Sequence, residues 1–298
     1  ILKIAEENNI TKAAEKLFIT QSALNQQLLK LEKELGTPLF HRSRTNWRLT
    51  EAGEIYIEGA KAALQIKNTT YNRIYDVVSA RKGHLTIGLT PGRGLRMFTA
   101  IYPELHRSFP NLDVRPIEMR VRAQQDAIAK GEIDVGLMTL ARRDQTSDTY
   151  YPLKQEELVL IIPAGHPLAE KAAPSGEPLA TLDLTELRYE PFVLMDKTST
   201  LRSSCDLLFE KAGFAPNILF ETNNTSGIAA MVQSTLCCGI IPRYYTLGLT
   251  EGVACFSLPE RPSWEIVISC QKNGYLNSGA REFIRLAREY WENSAPLF

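Results

Sequence analysis

Apolar positions change their period twice along this chain, and the changes divide it. Leu24, Leu28, Leu31 and Leu35 recur at spacings of four, three and four, which predicts one helix of about four turns with a single buried stripe. Thr20 is placed to cap its start, and Gly36 followed by Pro38 ends it in the usual order. Just upstream, "NITKAAEKLFIT" sets Ala13, Ala14 and Leu17 at helical spacing behind Thr11 as a predicted N-cap, and a tight turn at Phe18 leads into the next helix. Two helices joined this closely form a helix-turn-helix. The segment "PLFHRSRTNWRLT" then reads as a short hairpin, a wing. From about Glu51 to Ser79 no proline intervenes, and Ile55, Ala60, Ala63, Ile66, Ile74 and Val78 mark one long helix that needs a partner for its apolar side.

After His84 the pattern becomes short apolar runs alternating with helical segments. "HLTIGLT", "DVRPIEM" and "IDVGLMT" read as strands, separated by the helices "GLRMFTAIYPELHRSF" and "RAQQDAIAKGE". That is two βαβ units, hence a parallel sheet covered by helices. A second set follows with "LVLIIP", "FVLMD", "TLRSSCDLLFEKAG", "NILFET", "SGIAAMVQS" and "GIIP", and "SWEIVISC" with a last helix is expected to return to the first sheet.

Composition narrows the function. The chain has 298 residues, more than one core usually serves, so two or three domains are expected. A formal net charge of zero means that any affinity for nucleic acid is local. The longest apolar runs are far too short to span a bilayer, which takes about 20 residues, and no leader opens the sequence, so a cytoplasmic location with no membrane partner is expected. Ile1, Leu2 and Ala5 look like the end of a helix, so further residues are expected upstream. The five cysteines, Cys205, Cys237, Cys238, Cys255 and Cys270, lack C-x-x-C spacing and suit free thiols in a reducing compartment. His41, His84, His106 and His166 are scattered without metal-site companions, so neither a metal nor a cofactor is expected. "GRG" at Gly92–Gly94 lacks the third glycine of a dinucleotide fingerprint, and no nucleophile elbow or phosphate loop is present; an enzyme is not indicated.

Local chemistry points to DNA. The polar face of the second helix carries Gln21, Ser22, Asn25, Gln26 and Lys30, and the wing adds His41, Arg42, Arg44 and Arg48 around Trp47. Amides read base edges, while lysine and arginine neutralise phosphate. Core helices and solvated basic loops account for each piece taken singly; their order and spacing favour a DNA contact made by Thr11, Thr20, Gln21, Ser22, Asn25, Gln26, Lys30, Arg42 and Arg44.

The stretch "ITKAAEKLFITQSALNQQLLKLEKELGTPLFHRSRTNWRLTEAGE" resembles the N-terminal winged helix-turn-helix of LysR-type transcriptional regulators, in its A-A-x-x-L, Q-S-A-L, L-E-x-E-L-G-x-P-L-F and L-T-E-A-G blocks. The resemblance implies a bacterial, effector-responsive regulator with recognition helix Gln21–Leu35. It implies a winged helix-turn-helix at residues 1–50 and a linker helix at 51–82 that pairs antiparallel with a second copy. Beyond these lies a two-lobed α/β effector domain like a periplasmic binding protein, with lobe I at 83–155 and 261–298 and lobe II at 156–260. Its expected partners are double-stranded promoter DNA, a small-molecule effector, other copies of itself as a dimer and tetramer, and RNA polymerase. Asn25 stands where relatives more often have Ser, which changes the expected base preference. Gly92 and Val121 replace frequent hydroxyls, so the pocket is expected to be wider, and Leu236-Cys237-Cys238-Gly239 replaces a glycine turn.

Ligands in open α/β sheets sit beyond the carboxyl ends of strands. That rule selects Thr90, Pro91, Gly92, Arg93, Arg120, Val121, Arg122 and Thr139 in lobe I, and Lys197, Thr198, Ser199, Thr200, Asn223, Asn224 and Thr225 in lobe II. Hydroxyls, amides and cations favour an anionic effector such as a carboxylate, with Arg93 and Arg120 as anchors unless their heads lie in water. Two alternatives stand beside this reading. A redox-responsive regulator would use cysteines, yet Thr200 and Phe209 occupy the places of the reactive pair in peroxide-sensing relatives. A solute-binding transport protein shares the two-lobed fold but would have an export signal and no winged helix.

Overall fold

The computed structural model describes residues 1–43, 47–78, 81–174, 176–249, 251–295 and 297. Three helices begin it: α1 (Leu2–Glu7), α2 (Ile10–Lys16) and α3 (Gln21–Leu35). A two-stranded ribbon, β1 (Phe40–His41) against β2 (Arg48–Leu49), follows as the wing. Ile4, Ala13, Leu24, Leu28 and Leu39 close a small core between them. The expected cap at Thr11 is corrected: Asn9 Oδ1 accepts the amides of Thr11 and Lys12 at 2.9 and 3.1 Å, so α2 starts two residues earlier, and it ends at Lys16. Thr20 does cap α3, its hydroxyl accepting from the Ala23 amide, and Gly36 closes it in the left-handed region at φ 72°. The stripe of α3 is buried only over its first part, because Leu35 is 45% exposed.

Helix α4 (Glu51–Val77) is capped by Thr50 and passes close under the wing. Gly53 is required at this crossing, since a Cβ there would overlap the Leu39 carbonyl oxygen. Ile55, Ile66, Ile74 and Val78, half of the apolar stripe's members and more, are largely exposed on this chain.

The remaining elements are β3 (Lys82–Leu89), α5 (Arg93–Ser108), β4 (Asn111–Glu118), α6 (Val121–Ala129), β5 (Val135–Leu140), β6 (Thr149–Pro163) and β7 (Pro191–Met195). They continue with α7 (Thr200–Ala212), β8 (Asn217–Thr222), α8 (Thr225–Gln233), β9 (Gly239–Pro242), β10 (Val253–Ser257), β11 (Ser263–Cys270) and α9 (Ser278–Glu292). The main sheet runs β10-β6-β11-β5-β3-β4, with β9 also on β6, and β7 and β8 pair separately in parallel. It is mixed rather than parallel: β3 is parallel to β4 and β5, while β11 returns antiparallel between β5 and β6.

Strand β6 makes the two lobes. The apolar run at Leu158–Pro163 was expected to be the whole strand, but pairing begins at Thr149. Its first half pairs with β11 as far as Glu157, and from Leu158 it pairs with β9 and β10 instead. The half with mixed polarity has no solid apolar run because one side faces partly outward, so the sequence pattern shows only the buried half. Leu85, Ile87, Met97, Phe283 and Trp291 fill the core of lobe I, and Leu160, Phe192, Phe209 and Phe256 that of lobe II.

Candidate functional site

The recognition face is built on α3. Gln21, Ser22, Gln26 and Lys30 are exposed along one side and Asn25 is half-buried beside them, while Leu24 and Leu28 hold the opposite side in the core. Gln27, not singled out from the sequence, is also exposed there. Thr11 reaches this face from α2, its hydroxyl donating to Gln21 Oε1 at 3.2 Å, and Thr20 stands at the helix start.

Glu32 is the residue that sequence reasoning passed over. It is buried, accepts the Leu39 amide at 2.8 Å and forms an ion pair with Arg42, whose guanidinium lies 5.5 Å from the Trp47 ring centroid. A carboxylate on the third helix therefore ties the wing down, and Arg42, expected from the sequence to meet phosphate, has a structural partner within the protein. Arg44 lies outside the described residues.

A cavity of about 510 Å³ opens between the lobes. Thr90, Pro91, Gly92, Arg93, Arg120, Val121 and Thr139 line it from lobe I. Thr198, Ser199, Thr200, Asn223, Asn224 and Thr225 line it from lobe II. Two of the expected residues are not brought in: Lys197 and Arg122 are exposed and turn away from the wall. Arg122 follows Val121, which does line the cavity, and Lys197 lies in the turn after β7; strand-end position alone does not fix which neighbour points inward. Met195, Tyr245 and Trp264 were missed; Met195 ends β7 and falls under the strand-end rule, whereas Tyr245 lies in a turn after β9 and Trp264 near the start of β11.

Four helices start at this cavity. Ser199 caps α7 by accepting the Leu201 amide, and Asn224 caps α8 by accepting the Ser226 amide. The starts of α5 at Gly92 and α6 at Arg120 have no side-chain cap. Helix starts carry partial positive charge, which suits an anion; at α5 the Arg93 and Gly94 amides already donate to the Pro91 and Thr90 carbonyls at 3.0 Å, so the free N–H groups lie chiefly at α6. Thr90 Oγ1, at the same wall, is buried and has no hydrogen-bond partner in the protein.

The two arginines expected to anchor the anion are differently placed. Arg93 is 4% exposed and its guanidinium pairs with the fully buried Glu156, which also accepts from the Tyr244 amide at 2.9 Å and Trp264 Nε1 at 2.7 Å. Burial works against its charge, but Glu156 and Tyr245 outweigh that and raise its pKa. The surface alternative for Arg93 is thereby corrected, and so is its role as a free anchor, because its charge is already matched. Arg120 reaches across the cleft to Asp196 Oδ1 at 2.8 Å and to Thr198 Oγ1. Two further bonds cross between lobes, Thr200 Oγ1 to the Thr139 carbonyl at 3.1 Å and Arg143 Nη2 to Ser204 Oγ at 3.2 Å.

With both sites in place, comparison with known proteins decides the family. Residues 1–54 match the bacterial regulatory helix-turn-helix family of lysR type, and residues 79–292 match the LysR substrate binding domain. This chain belongs to the LysR family of transcriptional regulators. YcgK, an HTH-type transcriptional regulator of Bacillus subtilis (strain 168), is 29% identical over 96% of this chain and 91% of its own. Among solved structures, full-length OxyR from Pseudomonas aeruginosa, a cysteine-to-aspartate variant, is 21% identical with a TM-score of 0.67, covering 99% of this chain and 93% of that one. Full-length CbnR complexed with its target DNA is 20% identical with a TM-score of 0.66, covering 97% and 96%.

LysR proteins are transcriptional regulators rather than enzymes. In this one, the described chain has no helix long and apolar enough to cross a membrane. Its thiols sit far from any reactive setting: Cys205, Cys237, Cys238 and Cys270 are buried and Cys255 is half-buried. Burial pushes Cys205 and Cys238 up to about 12 and Cys255 up to about 11, so little thiolate forms near neutral pH.

Proposed function

We propose that this LysR regulator binds pseudo-palindromic promoter DNA as an oligomer and answers a small carboxylate held between lobes I and II. The domain limits are those given above, 1–50, 51–82, 83–155 with 261–298, and 156–260. One observation carries the effector reading: the orphaned Thr90 hydroxyl stands at a wall where α5 and α6 begin without side-chain caps. The anion is gripped by amides and hydroxyls rather than by Arg93. Arg120 is half-committed to Asp196, so a carboxylate that takes it must compete with that partner.

The exposed apolar residues of α4 favour pairing with a second copy, which places two recognition helices on two half-sites and raises their effective concentration on DNA. Promoter DNA in the cytoplasm and RNA polymerase are the partners such a regulator meets. Coupling then follows from linkage: an effector that favours one lobe arrangement shifts the oligomer by its differential affinity and no more. A cysteine-based redox response draws no support from the thiols, which are buried and hard to ionise.

A thermal-shift screen of small carboxylates against neutral polyols of similar size tests the reading. A carboxylate should raise the melting temperature in proportion to log concentration, and Thr90→Val should weaken it about tenfold through the lost hydrogen bond to a charged group. Stabilisation by polyols alone would refute the anionic effector and leave the regulator.

A further inference from the structure

Helix α4 is fastened to lobe I at two places and stands over a hollow between them. At the first, Lys61 Nζ pairs with Glu132 at 2.6 Å, and Gln65 lies so close on Gly131 that a Cβ there would overlap its amide. At the second, Asn72 pairs its side-chain amide with the His84 backbone, donating to the carbonyl and accepting from the N–H at 3.0 Å each. One turn further, Asp76 accepts from the Ser278 amide at 3.0 Å and the Tyr275 hydroxyl at 2.6 Å, and pairs with Arg281. With a helical rise of 1.5 Å per residue, Lys61 and Asp76 lie about 22 Å apart along the axis.

The hollow has a volume of about 380 Å³ and takes its walls from Thr69, Thr70 and Arg73 on the helix and from Asp134, Gln271 and Asn273 on lobe I. Small-molecule sites start at about this size. Two of its walls carry charges that have no ion-pair partner among the described residues. Arg73 has no carboxylate partner among the described residues; its guanidinium lies 5.0 Å from the Tyr275 ring centroid. Asp134 accepts the Thr86 amide at 2.7 Å and has no cation paired with it among the described residues. Burial raises its pKa, offset in part by that amide and by the nearby His84 imidazole, so a permanent cation beside it would be stabilising. The two charges line one cavity without pairing with each other.

We propose that this hollow binds a small zwitterion, a free amino acid, with its carboxylate on Arg73 and its ammonium group on Asp134. The site is separate from the interlobe cleft. A ligand there bridges the linker helix and lobe I midway between the two clasps, and so stiffens the joint that sets how the DNA-binding domain is held against the effector domain.

The test uses the full chain and the twenty free amino acids singly, by calorimetry and thermal shift, on wild type, Arg73→Gln, Asp134→Asn and the cleft variant Thr90→Val. At least one amino acid should bind wild type and Thr90→Val alike and lose tenfold or more in affinity in both Arg73→Gln and Asp134→Asn. Neither substitution removes a hydrogen bond or ion pair of the clasps, although Arg73→Gln loses the contact with the Tyr275 ring, and unchanged unliganded melting temperatures show that they fold. Three results overturn the proposal: no amino acid binds, binding survives both hollow substitutions, or binding is lost in Thr90→Val and kept in the other two. The last would assign the amino acid to the cleft.

Discussion

Arg93 and Glu156 form a buried ion pair where the chain passes from one lobe to the other, Arg93 at the start of α5 and Glu156 beside the point at which β6 changes partners. Removing one member of such a pair strands the other. Arg93→Met should lower unfolding stability by about 3–5 kcal/mol in urea titrations, and Glu156→Gln on top of it should recover a large part, since neither charge is then left alone. A loss below about 1 kcal/mol for the single change would show that the pair is open to water.

Asp196 makes a prediction about pH. The hydrogen bond from Arg120 chiefly, with Thr198 adding to it against the cost of burial, holds its carboxyl at about 2, below the ordinary value near 3.9. A depressed folded value means that the stabilisation is fully present above the unfolded value and is lost as pH falls through the folded one. The difference in urea midpoint between wild type and Asp196→Asn should therefore be constant from pH 7 to about 5 and shrink below about 4. A difference that grows on acidification would mean that another group closes the lobes. Because both side chains are partly exposed, added salt should reduce the difference as well.

How much of this was legible in the sequence varies with the range of the interactions involved. The caps at Thr20 and Gly36 and the long α4 were readable because each rests on neighbours within one turn. The antiparallel return of β11 and the full length of β6 were not, since they depend on pairings with strands far away in the chain. The same limit holds at the sites. Strand-end position found Thr90, Arg120, Thr139 and Asn224 but could not tell that Lys197 turns outward or that Arg93 spends its charge on Glu156. Nothing local marks Glu32 as different from the other charged residues of α3, and only the fold shows it holding the wing by Arg42 and Leu39.

The thiols should be slow. With Cys205 and Cys238 near 12 and Cys255 near 11, a colourimetric thiol reagent at neutral pH should label the native chain far more slowly than the urea-unfolded one, in which all five react. Mild peroxide should leave both the thiol count and DNA binding unchanged. Rapid loss of two thiols together with altered DNA affinity would restore the redox reading.

The pairing of Arg42 with Glu32 separates two kinds of contact to DNA. Lys30 is exposed on α3 and has no ion-pair partner among the described residues, so its charge is free for phosphate. Lys30→Ala should weaken binding to every sequence about equally and reduce the slope of log affinity against log salt by about 1. Gln26→Ala should instead change the base preference, costing about 1–3 kcal/mol on the preferred site and little elsewhere, because an amide reads base edges. Arg42→Ala belongs to neither class. It removes a charge near the backbone and also leaves the buried Glu32 unpaired, so the melting temperature should fall along with affinity. Glu32→Gln isolates the second effect: the Leu39 amide keeps an acceptor, Arg42 is released, and the salt slope should stay the same or steepen while the wing loosens. If Glu32→Gln instead flattened the slope, Arg42 would need its carboxylate partner in order to face phosphate, and the ion pair would belong to the DNA contact itself.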